Sequence, residues 1–68
     1  MIEVFTTDVS GRVEADYICR LLEKHFPDAV FNIDVEDCDK VLRAEGIFSP
    51  SAIISLILKQ GFQCAIMN

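Results

Sequence analysis

The spacing of apolar residues changes period repeatedly along this chain, and that alternation leaves few folds open. From Ile2 to Thr7 the period is two, with Ile2 and Val4 set against Glu3 and Phe5. From about Gly11 to Phe26, Ala15, Ile18, Cys19, Leu22 and Phe26 recur at the spacing of one helix face. Period two returns over Ala29–Glu36, with Phe31, Ile33 and Val35 on one parity and Asn32, Asp34 and Glu36 on the other. Lys40–Gly46 repeats it with Leu42 and Ala44. A second helical stretch reaches Gln60, and Phe62–Met67 closes the chain as a strand with Phe62, Cys64 and Ile66 on one face.

Local chemistry punctuates this order. Asp8, Ser10 and Gly11 are turn and N-cap residues ahead of the first helix. Glu14 and Asp16 in its first turns and Lys24 and His25 in its last match the helix dipole, and Pro27-Asp28 stop it. Ser49 and Pro50 fit the N-cap and first position of the second helix, and Gly61 fits its C′ position. If Cys38-Asp39 is a two-residue turn, Val35 faces Leu42 and Ile33 faces Ala44, which gathers the apolar side chains on one side. A four-residue loop is the alternative, because the turn is not an Asn-Gly type.

Two strand-helix-strand units joined by a hairpin predict an α+β, ferredoxin-like βαββαβ sandwich. Its antiparallel four-stranded sheet has the order 4-1-3-2, with both helices on one face. The first strand, apolar on both parities, suits the centre, and the second, polar on alternate residues, suits an edge. The 68 residues hold one domain, 1–68. A chain this short buries only about 60% of its unfolded surface, so the 51% hydrophobic content is what lets it hold a core.

The net charge of −5 opposes nucleic acid and anionic lipid as partners. Ala52–Leu58, the longest nearly apolar stretch, is far too short for membrane insertion. Cys19, Cys38 and Cys64 are odd in number and widely spaced, unlike a secreted disulfide framework, and Met1–Phe5 lacks the basic start of a signal peptide. The expected compartment is the cytoplasm.

The chain resembles the heavy-metal-associated domain family of copper-chaperone-like proteins over nearly its whole length. The resemblance is carried by Phe5-x-Thr7-x-Val9, Ile18 and Leu22, Phe31-x-Ile33-Asp34 and Asp39-Lys40-Val41-Leu42. It continues in Ser49-Pro50-x-x-Ile53-Ile54 and Lys59-x-Gly61-Phe62. Members of that family hold a soft ion with the two thiolates of a CxxC motif, at the junction of first loop and first helix. An ungapped match sets those positions at Gly11 and Glu14, so the resemblance implies a degenerate member without the cysteine pair. Lys59 and Phe62, with Asp8 and Ser10, then flank a site without ligands.

Other candidate chemistry is weak. Cys19 and Cys64 fall on predicted buried faces, where a thiol acts as a small hydrophobe. Cys38 lies among acids at the hairpin tip, on an end of the fold expected to be opposite or lateral to the first loop. Asp34, Glu36, Asp37, Asp39 and Glu45 imitate a calcium loop, but Cys38 and Asp39 occupy places that break it, and a solvated hairpin is expected. His25 lies about three helical turns from Glu14, so the two form no acid-base pair. No triad spacing or phosphate loop suggests an enzyme.

The second helix carries a wider apolar arc than a sheet-covering helix needs, which makes the flank at Ala52 and Leu58 a candidate interaction surface. The expected function is a non-enzymatic module without metal that binds an unidentified protein partner or forms a homo-oligomer. The alternative is a copper or zinc protein with non-standard ligands drawn from the cysteines, Glu14 or His25. A small-molecule sensor is a weaker third reading.

Overall fold

The computed structural model describes residues 1–67. Its elements are β1 (Ile2–Thr7), α1 (Arg12–His25), β2 (Ala29–Asp34), β3 (Val41–Gly46), α2 (Pro50–Lys59) and β4 (Cys64–Ile66). The strands form one antiparallel sheet of order β2-β3-β1-β4. That is the expected 4-1-3-2 read from the other edge. The fold is α+β and ferredoxin-like, with apolar β1 inside and β2 at an edge.

The core lies between the helices and one face of the sheet. Phe5 pairs with Leu42, and Phe31 with Ala44, and all four are buried. Side chains directly opposite in an antiparallel pair share a face, so these residues meet Ala15, Ile18 and Leu22 of α1 and Ile53 and Ile57 of α2. Ala29 and Ile33 of β2, with Val9 and Phe48, each in a connection before a helix, complete the cluster. Among the described residues no polar or charged side chain is buried.

The hairpin departs from the expected register. Ile33 faces Leu42 and Phe31 faces Ala44, two residues from the predicted pairing. The even shift leaves every side chain on its expected face, so hydrophobic alternation alone could not detect it. Local hydrogen bonds end the strand early. Asp34 Oδ1 accepts from the Glu36 N–H at 3.1 Å, and Asp37 Oδ1 from the Asp39 N–H at 2.8 Å. The Lys40 N–H donates to Asp37 O at 3.0 Å, and Lys40 takes a left-handed φ of 45°. Short acidic side chains thus capture the backbone donors that a strand ladder would use. The connection covers residues 35–40, longer than either expected turn.

The hairpin tip, expected opposite or lateral to the first loop, lies beside it. Thr7 donates from its N–H to Asp39 O at 3.1 Å and from Oγ1 to Lys40 O at 2.6 Å. Because β1 and β2 are each antiparallel to β3, they run parallel and finish at one edge. The tip therefore stands beside the end of β1, the strand that feeds the first loop.

α2 ends as the sequence indicates, with Gln60 as its last cap and Gly61 at φ 92°. β4 is shorter than the predicted Phe62–Met67. The Phe62 N–H donates to Ile57 O at 3.3 Å and the Gln63 N–H to Asp8 Oδ1 at 2.7 Å, so neither joins the ladder. Ser49 holds the N-cap position of α2, but its Oγ lies 3.2 Å from Ser51 Oγ and makes no capping bond to the helix.

Candidate functional site

The junction of β1 and α1 is built from Asp8 to Glu14. Val9, fully buried, pins the loop to the core, and its N–H donates to Thr7 Oγ1 at 3.3 Å. Gly11 is the N-cap of α1, at φ 147° and ψ 167°, and offers no side chain to the helix N–H groups. Glu14 at the third helical position turns back over the junction. Its Oε1 accepts from Ser10 N–H at 3.1 Å and from Ser10 Oγ–H at 2.8 Å. This is a variant of the capping box, displaced one residue toward the N-terminus, and it sets a carboxylate near the positive end of the helix dipole. Asp8, by accepting from Gln63, ties the loop to the approach of β4.

Of the residues that the resemblance sets around this junction, Asp8, Ser10 and Glu14 hold the loop itself. Gly11 has no donor atom, Glu14 Oε1 serves Ser10, and Asp8 Oδ1 serves Gln63. Lys59 is exposed, and Phe62 is half-buried and packed against the core.

All three cysteines are free. Cys19 and Cys64 are half-buried, and burial pushes both thiols up. For Cys19 the negative charge of Glu23 adds to that effect, a hydrogen bond with the Ile33 backbone opposes it, and Asp16 adds a smaller push upward. Cys64 is pushed up to about 11. Neither thiol is primed as a thiolate ligand or nucleophile.

Cys38 is exposed on the hairpin loop, at the same end of the molecule as the first loop. Among the described residues, Asp37, Cys38 and Asp39 are the one group of acidic, thiol or imidazole side chains gathered closely enough for an ion, with ligand atoms within 4.8 Å of one another. One Asp37 oxygen already closes the turn on the Asp39 N–H. His25 Nδ1 lies 3.0 Å from Leu21 O within its own helix, a bond that ties the ring to the last turn of α1.

The apolar arc of α2 is largely consumed by packing. Ile53 and Ile57 are fully buried, and Ile54 and Leu56 pack half-buried against the core. Ala52 is half-buried, leaving Leu58 as the outer apolar residue of the helix at 47% exposure. α2 lies against β4 and α1, and Tyr17 Oη donates to Gln60 Oε1 at 2.9 Å across the two helices.

Apolar side chains are also exposed on the uncovered face of the sheet. Ile2 and Val30 are 57% and 69% exposed, Val4 is half-buried, and Met67, whose N–H donates to Val4 O at 2.9 Å, is exposed. The signal for this face was the apolar content of both parities of the first strand. Two helices on one side of a sheet cannot cover both.

Among the described residues no helix is long and apolar enough to cross a membrane. A scan against protein-family models finds no match to the chain, and a search of curated proteins finds none either.

Proposed function

We propose that this chain is a non-enzymatic cytoplasmic module that works without a metal, binding a protein partner or another copy of itself through the uncovered face of its sheet. The observation that carries this reading is the exposure of Ile2, Val30 and Met67 around half-buried Val4, on a face that neither helix covers. The metal-free part is supported by the chemistry of the first loop. One oxygen each of Glu14 and Asp8 is engaged in hydrogen bonds that hold the loop, and Gly11 supplies no ligand. On this view the resemblance to metal-handling domains extends to the scaffold and stops short of the cargo.

The test is the double variant Ile2→Lys, Val30→Lys, compared with wild type in immobilised-protein capture and in sedimentation. Association with any chain, its own or another, is expected to disappear while the circular dichroism spectrum is retained. A wild-type protein that stays monomeric and captures nothing defeats the reading.

A second reading, copper or zinc held by non-standard ligands, is favoured by the gathering of Asp37, Cys38 and Asp39. Titration with Cu(I) and Zn(II) under reducing conditions separates the two. Near-stoichiometric binding tighter than about 1 µM, lost in Cys38→Ser, would replace the first reading with the second.

A further inference from the structure

We infer that the uncovered sheet face closes on the same face of a second copy of this chain, about a two-fold axis that crosses β3 between Arg43 and Glu45. The inference rests on the reading of this face as an interaction surface.

The strand registers arrange the face in rows. Glu45 stands between Ile2 and Val30, and Arg43 between Val4 and Asn32. A base and an acid thus lie two residues apart on β3, about 7 Å along the strand, with an aliphatic column of Ile2 and Val4 beside them on β1. In an isologous contact one patch must complement itself. An axis in the contact plane, perpendicular to the strands and midway between the two rows, does this. It sets Arg43 against the partner subunit's Glu45, and Ile2 against the partner subunit's Val4. Any other shift along the strand brings like charges together or leaves them facing aliphatic side chains.

The charged pair is also only partly used within one chain. Arg43 reaches Glu45 through Nε at 3.1 Å and through Nη2 at 3.0 Å, and both contacts fall on the same oxygen, Oε1. The second carboxylate oxygen and the remaining guanidinium N–H groups are left for a second copy. Both side chains are more than half exposed, so they can reach across. The charge on this face is small. Two copies of a chain with net charge −5 repel each other, and the sheet face carries Asp34 and Glu45 against Arg43 while most of the acids lie elsewhere.

Size sets the strength. The two longer extents of the molecule are 26 and 25 Å, so a full face projects about 650 Å² per partner. That is near the lower end of specific interfaces, which bury roughly 1,200–2,000 Å² in total, and leaves room for a dimer.

Sedimentation from about 10 µM to about 1 mM is the measurement, a range that brackets weak association. Wild type is expected to move from monomer to dimer mass. R43E and E45R are each expected to weaken association at least tenfold, since each sets two like charges against two of the same sign. An equimolar mixture of R43E and E45R is expected to recover the dimer as a heterodimer, because two acids then meet two bases. Thermal melts of each variant, which both lose the internal pair, separate this from loss of fold. A wild type that remains monomeric at the highest concentration overturns the inference, and so does a mixture that fails to recover. Should wild type stay monomeric while Ile2→Lys, Val30→Lys abolishes capture of a different protein, the interaction face stands and only the two-fold dimer falls.

Discussion

One oxygen of Glu14, Oε1, accepts both the N–H and the hydroxyl of Ser10, at 3.1 and 2.8 Å. Glu14, where the resemblance would put a ligand, clasps the loop. Glu14→Ala removes the only acid in the first turn of α1 and frees two donors that water can then satisfy. Because the site is exposed, the expected cost is about 1 kcal/mol, the usual worth of a cap. For a domain of this size that lowers the melting temperature by roughly 4–8 °C, measurable by calorimetry. Ser10→Ala should reproduce much of the loss, and the double variant should cost less than the two singles summed.

Restoring sulfur at the junction tests what the resemblance implies. A side-chain carbon at Gly11 would meet nothing within 4 Å, so space is not the obstacle. The backbone is, since φ 147° is a conformation L-residues rarely adopt, at a cost of about 1–3 kcal/mol. The double variant G11C/E14C should therefore melt lower than wild type without metal. On adding Cu(I) it should gain stability that wild type does not, because two thiols near a helix N-terminus deprotonate readily and suit a soft ion. Equal Cu(I) affinity in the two proteins would remove the basis for a lost site.

Much of the fold was legible because separate signals agreed. The apolar period, the helix ends at Pro27 and Gly61 and the two-sided first strand all point to one topology, and the structure has it. The hairpin register was not legible, because a shift of two residues preserves the face of Ile33 and Leu42 and only the turn chemistry distinguishes the alternatives. That chemistry lay in Asp34 and Asp37, whose short carboxylates could be read as charge or as turn-formers. The first loop was legible by position, through Gly11 and Glu14, but not by role. Nothing in the spacing says that Asp8 reaches Gln63, since they are far apart in sequence. The excess of apolar residues on α2 was visible, yet its meaning depends on β4 and α1 packing around that helix, which periodicity cannot report.

Gly46 closes β3 at φ 123°, where an added β-carbon would lie 2.4 Å from Asp28 O and 2.7 Å from Ala29 Cα. Both neighbours are backbone, and the strand edge is fixed there by Gly46 N–H donating to Met1 O and Ile47 N–H donating to Asp28 O. Gly46→Ala combines a clash with an unfavourable φ, so the expected loss is about 3 kcal/mol or more, a large part of the stability of a small domain. Urea unfolding should show a lower midpoint. An unchanged midpoint would mean that the start of β2 can move away freely.

Burial of the Cys64 thiol gives stability an alkaline limb. Its ordinary value is 9.0 and in the folded chain it is pushed up to about 11, so the unfolded chain loses its proton first as pH rises. The contribution is complete below pH 9 and is lost between about 9 and 11, and the raised Cys19 thiol acts in the same direction. Cys64→Ala should flatten this part of the pH profile. At pH 8, alkylation followed by peptide mapping should find exposed Cys38 modified well before Cys19 and Cys64. A faster Cys64 would show that β4 opens readily.

The two candidate surfaces can be separated with single substitutions. Leu58 is 47% exposed on the outer side of α2, whereas Ile57, its neighbour in sequence, is fully buried. Leu58→Glu should change stability by no more than about 0.5 kcal/mol, as for other substitutions on an open surface. Ile57→Glu should unfold the chain, because it would bury an unpaired carboxylate. If the sheet face is the contact, Leu58→Glu should leave association unchanged in light scattering while Ile2→Lys abolishes it. The opposite pattern would move the contact to the helix flank, since Ile2 and Leu58 lie on opposite sides of the sheet and no single flat contact can include both.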